Sequence, residues 1–218
     1  MLRILWKMTL VAGLLWWPSA TGWSYNREDL EKLLRTNECR RCDLSGADLS
    51  RRYLANADLR SANLQDANLS DANLWHANLK DANLAMADLR RAHLSRATLY
   101  NADLSGANLT RSNLSLAKMQ HAWLNNSRLT AAQMSLANLY GAQMQNANLS
   151  QATLRQTDLR NANLEGAVMR KADYGNSNAA SGSSKETTIS FANLGGPLLS
   201  LKQISTMAVY DGPQKWKP

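Results

Sequence analysis

From Cys42 to Tyr174 an apolar residue returns at every fifth position, at Leu44, Leu49, Leu54 and onward to Tyr174. Taking that residue as i, the stretch holds 27 units with no slip of phase. Leu fills 22 of the i positions; Met119, Met134, Met144, Met169 and Tyr174 fill the rest. At i−2, Ala fills 22 of 27, and the exceptions are Cys42, Arg52, Ser112, Ser127 and Thr157. A fixed internal period of this kind marks a repeat architecture.

The period excludes both simple elements. Five residues of α-helix turn about 500°, so successive Leu residues sit about 140° apart and wind around every face. In a flat strand, residues five apart point to opposite sides, whereas i and i−2 share a side. The pattern is met if each unit is a short extended piece and the chain bends once per unit. All Leu and small i−2 residues then point inward in a narrow, stacked solenoid. Pro occurs only at 18, 197, 213 and 218, as a ladder that needs its N–H donors requires. Asp and Asn dominate i−1; both tolerate turns and bond to nearby backbone.

Units such as Ala62-Asn63-Leu64-Gln65-Asp66 and Ala67-Asn68-Leu69-Ser70-Asp71 resemble the A(D/N)LXX consensus of pentapeptide-repeat proteins. The resemblance implies an all-β fold, a right-handed quadrilateral parallel β-helix with four units per coil. Nearly seven coils stacked at about 4.8 Å give a rod roughly 32 Å long. The fold alone does not fix a function.

The flanks are expected to differ. Residues 1–24 read as a secretory signal peptide: Arg3 and Lys7 precede the apolar run Met8 to Trp17, and small residues follow at Ser19, Ala20, Gly22 and Ser24. A short membrane anchor is the alternative, but about 30 Å of hydrocarbon needs a longer helix. Within the 25–41 segment, Asn26 to Thr36 reads as a helix with Asn26 as N-cap and Leu30, Leu33 and Leu34 on one face. It is placed to cap the open first coil. Residues 175–188 read as a loop. In 189–218, Ile189 and Ala192-Asn193-Leu194 return in phase, and a terminal helix is expected over 197–209 before a basic tail.

Cys39 and Cys42 are the only cysteines, and the beat turns both inward. Three readings stand: a local disulfide in an oxidising compartment, buried free thiols, or a thioredoxin-like redox pair. No βαβ pattern surrounds them, which disfavours the last. Arg52 breaks the inward rule, and a guanidinium in so tight a core requires an escape to solvent.

Net charge is +8, but Cys42 to Tyr174 holds 14 Lys/Arg against 11 Asp/Glu. Some pentapeptide-repeat proteins inhibit type II topoisomerases by imitating DNA. A mildly basic, exported rod lacks the acidic surface that this needs. Aligned in columns of period 20, Arg51, Asp71, Arg91 and Arg111 fall together with Arg90 alongside, a candidate basic stripe for an anionic surface. A second column carries Arg60, Lys80, Tyr100, Gln120, Tyr140 and Arg160, with His121 and Trp123 around the adjacent corner. In one coil Lys118, Trp123, Arg128 and Gln133 replace Asp or Asn on all four sides. Tyr100, His121, Trp123, Arg128 and Tyr140 are therefore the candidate partner surface; drift at tolerant surface positions is the alternative.

Catalytic chemistry is not signalled. His76, His93 and His121 fall in different columns and do not converge on a metal, and the aspartates are ordinary i−1 residues. No Gly-rich phosphate loop appears. No cofactor is expected. The expected function is a non-enzymatic scaffold that binds an unidentified protein partner; the alternatives are an enzyme-binding inhibitor or a redox protein. The Cys-x-x-Cys-Asp-Leu-Ser-Gly-Ala start after a helix resembles exported cyanobacterial members of the family, which implies periplasm or thylakoid lumen, with the extracellular space as alternative. Nucleic acid is disfavoured for an exported chain.

Overall fold

A computed structural model describes residues 25–173. The expected signal peptide, the 175–188 loop and the elements placed at 189–218 lie outside the described residues.

Every fifth residue from Glu38 to Thr153 forms a parallel bridge to the residue 20 positions later, from Glu38↔Asp58 to Thr153↔Asp173. The chain therefore closes a coil every 20 residues and pairs four times per coil. The paired residues are the i−1 positions. In each pair the residue of the later coil makes both bonds: Asn63 N donates to Cys42 O at 2.8 Å, and Asn63 O accepts from Leu44 N at 2.8 Å. Only one residue per unit is bridged before the chain turns, so the ladder is built of single bridges rather than long strands.

The turn has one form throughout. The i+3 N–H donates to the i carbonyl, as in Ala47 N to Leu44 O at 3.0 Å. The i+2 residue has positive φ in every unit from Arg41 to Lys171. That combination is the φ signature of a type II turn, which favours Gly or Asn at this position. Gly fills it at Gly46, Gly106, Gly141 and Gly166; elsewhere even Leu116 and Leu136 adopt φ 62°. No Val, Ile or Thr occupies any of these positions, as expected where β-branched side chains are most strained.

The i−1 preference has a second cause. The side-chain oxygen of Asp or Asn accepts from the N–H two residues on, as in Ser50 N to Asp48 Oδ1 at 3.1 Å and Trp75 N to Asn73 Oδ1 at 3.0 Å. These Asx-turns lead the chain into each corner. Some Asn amides also reach the preceding coil, as in Asn63 Nδ2 to Asp43 Oδ1 at 3.1 Å.

The core is the column of i and i−2 side chains. Every i residue from Leu44 to Met169 is at most 3% exposed. Arg52 is the exception among the i−2 residues: its side chain is exposed in the first coil, the escape its charge demands. Thr157 Oγ1 donates to Met134 O at 2.9 Å, whereas the buried Ser112 and Ser127 hydroxyls find no partner among the described residues. An unpaired buried hydroxyl is destabilising, and Ala fits this position in 22 other units. Ser112→Ala is expected to raise the unfolding free energy by about 1 kcal/mol in urea titrations.

Helix α1, Arg27–Thr36, takes the place of a missing coil below the first. Asn26 caps it, its Oδ1 accepting from Glu28 N at 2.9 Å and Asp29 N at 3.3 Å. Asn37 ends it with φ 59°, its N–H donating to Leu33 O. Leu33 is buried in the core and Leu30 packs against it. The helix also satisfies the first coil's edge: Asp43 N donates to Asp29 Oδ2 at 2.8 Å, and Asp43 O accepts from Asn26 N at 2.9 Å.

Candidate functional site

The corner that follows Leu99, Met119 and Leu139 carries a stack of rings. Tyr100 and Tyr140 stand at i+1, two coils apart, and His121 at i+2 of the coil between them inserts between their rings. The Tyr100 and His121 centroids are 5.7 Å apart at 78°, and those of His121 and Tyr140 are 5.6 Å apart at 85°. These edge-to-face contacts suit the ring quadrupoles. Lys80 Nζ lies 5.6 Å from the Tyr100 ring centre, and the Arg160 guanidinium 5.8 Å from that of Tyr140. The ladder thus runs from Lys80 to Arg160 with a cation at each end.

Its parts are held in place. Tyr140 Oη accepts from Asn161 Nδ2 at 2.8 Å. Arg160 donates to Asp158 through Nε at 2.9 Å and Nη2 at 2.8 Å, and these bonds hold the Asp158 carboxyl below the usual carboxylate range. Gly141 makes room for the imidazole: a Cβ there would lie 2.6 Å from His121 Nδ1. Gln120, which falls between Tyr100 and Tyr140 in the same column, keeps a buried Oε1 with no partner among the described residues.

The remaining candidates divide. Trp123 sits on the face that follows this corner, 54% exposed, and no hydrogen bond or ring contact holds its indole among the described residues. Lys118 is exposed on the face that precedes it. Arg128 lies one face beyond Trp123, across the corner at 125–126, so the structure does not bring it to the ladder. The four replacements at 118, 123, 128 and 133 also remove the Asx-turn from all four sides of that coil.

The basic stripe is less positive than its column implies. Arg91 donates to Asp71 through Nε at 2.7 Å and Nη2 at 2.6 Å, and these bonds lower the Asp71 pKa. Arg90 donates to Asp88 at 2.8 Å and 2.6 Å; burial pushes the Asp88 carboxyl up, but the Arg90 bonds outweigh it and the pKa is lowered. Arg51 and Arg111 are exposed and make no ion pair among the described residues.

Cys39 and Cys42 are joined as a disulfide and are 0% and 3% exposed. Cys39 Sγ rests 3.1 Å from Asp29 O, a contact rather than a hydrogen bond because a disulfide sulfur carries no proton. The bridge ties the end of the helical cap to the start of the first coil. Asp29 and the two sulfurs are the one group of potential metal ligands among the described residues, and the disulfide occupies both thiols.

Column alignment finds Tyr100 and Tyr140 but not the insertion of His121 between them. The available signal was the pair His121 and Gly141 at successive i+2 positions of one corner, a large ring with space for it one coil on.

The profile described as pentapeptide repeats matches residues 38–75, 77–115, 112–151 and 147–176, in eight copies. No curated protein matches the chain. Among solved structures the chain is similar to HetL, a pentapeptide repeat protein involved in heterocyst differentiation regulation from the cyanobacterium Nostoc sp. strain PCC 7120. Identity is 29%, over 72% of this chain and 76% of that one, with a TM-score of 0.46. A pentapeptide repeat protein from the Arabidopsis thaliana thylakoid lumen is 28% identical over 55% of this chain and 70% of its own, TM-score 0.22. QnrB1, a plasmid-mediated fluoroquinolone resistance protein, is 18% identical over 73% and 83%, TM-score 0.35. No helix among the described residues is long and apolar enough to cross a membrane.

Proposed function

The chain belongs to the pentapeptide-repeat family, and from that premise we propose that it is a right-handed quadrilateral β-helix acting as a non-enzymatic scaffold, which holds a protein partner at the Tyr100–His121–Tyr140 corner and the adjoining Trp123 face. The family implies that winding, is generally non-enzymatic, and generally mediates protein interactions. The observation that carries the reading is the built corner. Three rings, two terminal cations and a glycine that makes room for His121 exceed what a repeat needs in order to fold. Aromatic and arginine side chains of this kind are enriched where proteins meet.

The compartment proposed is an exported one, periplasm or thylakoid lumen, on the strength of the Arg3, Lys7 and Met8 to Trp17 pattern. A DNA-mimic inhibitor is disfavoured by the excess of basic over acidic residues in the rod. A redox role is disfavoured by the burial of Cys39 and Cys42 beneath α1.

The test is capture of partners from the native envelope fraction by the tagged chain and by a variant with Tyr100→Ser, Trp123→Ser and Tyr140→Ser. The expected result is loss of specific partners with an unchanged melt. An identical partner set from both proteins removes this corner as the site.

A further inference from the structure

Between Asp103 and Asp158 the chain holds no acidic residue at all. These 54 residues, more than two and a half coils, carry Arg111, Lys118, Arg128 and Arg155. Arg155 is paired with Asp173 at 2.6 Å; the other three make no ion pair among the described residues. The acid-free zone coincides with the ring stack: His121, Trp123 and Tyr140 lie inside it and Tyr100 at its edge. Outside it several cations are matched, with Arg90 on Asp88, Arg91 on Asp71 and Arg160 on Asp158, whereas Arg51 makes no ion pair among the described residues.

The cations at the two ends of the ladder are paired, Lys80 with Asp81 at 3.9 Å and Arg160 with Asp158 at 2.8 Å, whereas Lys118 makes no ion pair among the described residues. Lys118 bridges Thr98 and Asn138, so no carboxylate flanks it on its face. Trp123 bridges Asp103 and Gln143. Asp103 accepts from Ser105 N at 2.9 Å and keeps its negative charge, so one carboxylate stands beside Trp123. A segment lying across Lys118, the corner rings and Trp123 therefore meets one unpaired ammonium, three rings and an exposed indole, with the Asp103 carboxylate at the Trp123 edge.

Resting on the scaffold reading above, we propose that the partner presents a carboxylate-rich protein segment, docked across the Lys118 face, the Tyr100–His121–Tyr140 corner and Trp123. Charge complementarity of this kind selects partners and speeds their encounter. Trp123 supplies the apolar anchor and Lys118 the counter-charge. Arg128 carries the same charge but projects from a different face, so a docked segment does not reach it.

The probe is a fluorescein-labelled octaglutamate peptide titrated with the full chain and followed by anisotropy. Lys118→Gln and Trp123→Ala are each expected to weaken binding about tenfold, the size of an interface hot spot. Arg128→Gln, with the same change in net charge, is expected to stay within about twofold. Thermal melts of all three confirm that the exposed substitutions leave the fold intact. Equal losses in Lys118→Gln and Arg128→Gln, or no binding by the parent chain, overturn the proposal. So does tighter binding of oligothymidylate or of phosphatidylglycerol vesicles than of octaglutamate, since the site then serves another class of anion. Envelope partners that depend on Trp123 but are indifferent to Lys118 and to salt leave the scaffold reading standing and remove this one alone.

Discussion

Asn108→Pro is expected to leave no stably folded rod. Asn108 N donates to Ala87 O at 2.9 Å, one rung of the ladder in mid-rod. Proline removes that donor and imposes its ring on a tightly stacked face, a loss of about 3 kcal/mol or more in regular structure. The Ala87 carbonyl loses its partner inside the stack, which adds about 1–3 kcal/mol. The Asx-turn goes as well, because Asn108 Oδ1 accepts from Thr110 N at 3.2 Å and from Thr110 Oγ1 at 2.7 Å. Together these approach the whole stability of an ordinary domain, about 5–15 kcal/mol. Because each coil contacts only its neighbours, the break separates the rod into two parts that no longer support each other. Circular dichroism melts check it: no cooperative transition is expected for Asn108→Pro. Asn108→Ala, which deletes only the side-chain bonds, is expected to cost about 1 kcal/mol.

Leu109→Ala has the second largest expected effect, about 2–5 kcal/mol. Leu109 is fully buried in the column of i residues, and Leu89 and Leu129 occupy the same position in the coils on either side. The ladder bonds above and below fix the backbone, so the wall cannot collapse inward and the cavity stays open. Leu109→Met is expected to cost under about 1.5 kcal/mol, because it conserves volume. Four units already carry Met at i. Urea denaturation of the two variants separates cavity formation from loss of hydrophobicity. Equal destabilisation by Ala and Met contradicts the packed-column account.

The fold is legible because one short period dictates both what is buried and where the chain turns. Leu and Ala at i and i−2 define the core, and the 20-residue bridge period agrees with four units per coil. Asn26 and the Leu30, Leu33 pair announce α1, and the structure adds how it seals the first coil through Asp29 and Asp43. Less legible is anything that depends on side-chain conformation at the surface. Columns align Arg91 with Asp71, yet not that the two bond, nor that Arg90 turns to Asp88 two residues away in its own unit. These contacts leave Arg51 and Arg111 as the unpaired part of the stripe. The positive φ at every i+2 is likewise hidden in the beat, although the absence of Val, Ile and Thr there follows from it. At the candidate site the rings themselves were legible as a column. The wedge of His121 over Gly141 was not, since it relies on a side chain lying along the corner towards the next coil.

The central claim is that the five-residue beat encodes the rod, whereas the 20-residue register encodes its surface. Deleting residues 107–111 separates the two. The beat continues unbroken from Leu104 to Leu114, but every later unit moves round by one face relative to Tyr100. Tyr100 then faces Asn125 and Asn126 in place of Gln120 and His121, while His121 and Tyr140 keep their relation. The measurement is a thermal melt together with proton NMR contacts among these rings. The account predicts a cooperative melt like that of the parent, loss of the Tyr100–His121 contact and survival of the His121–Tyr140 contact. An unfolded protein, or a Tyr100–His121 contact that persists, would contradict it.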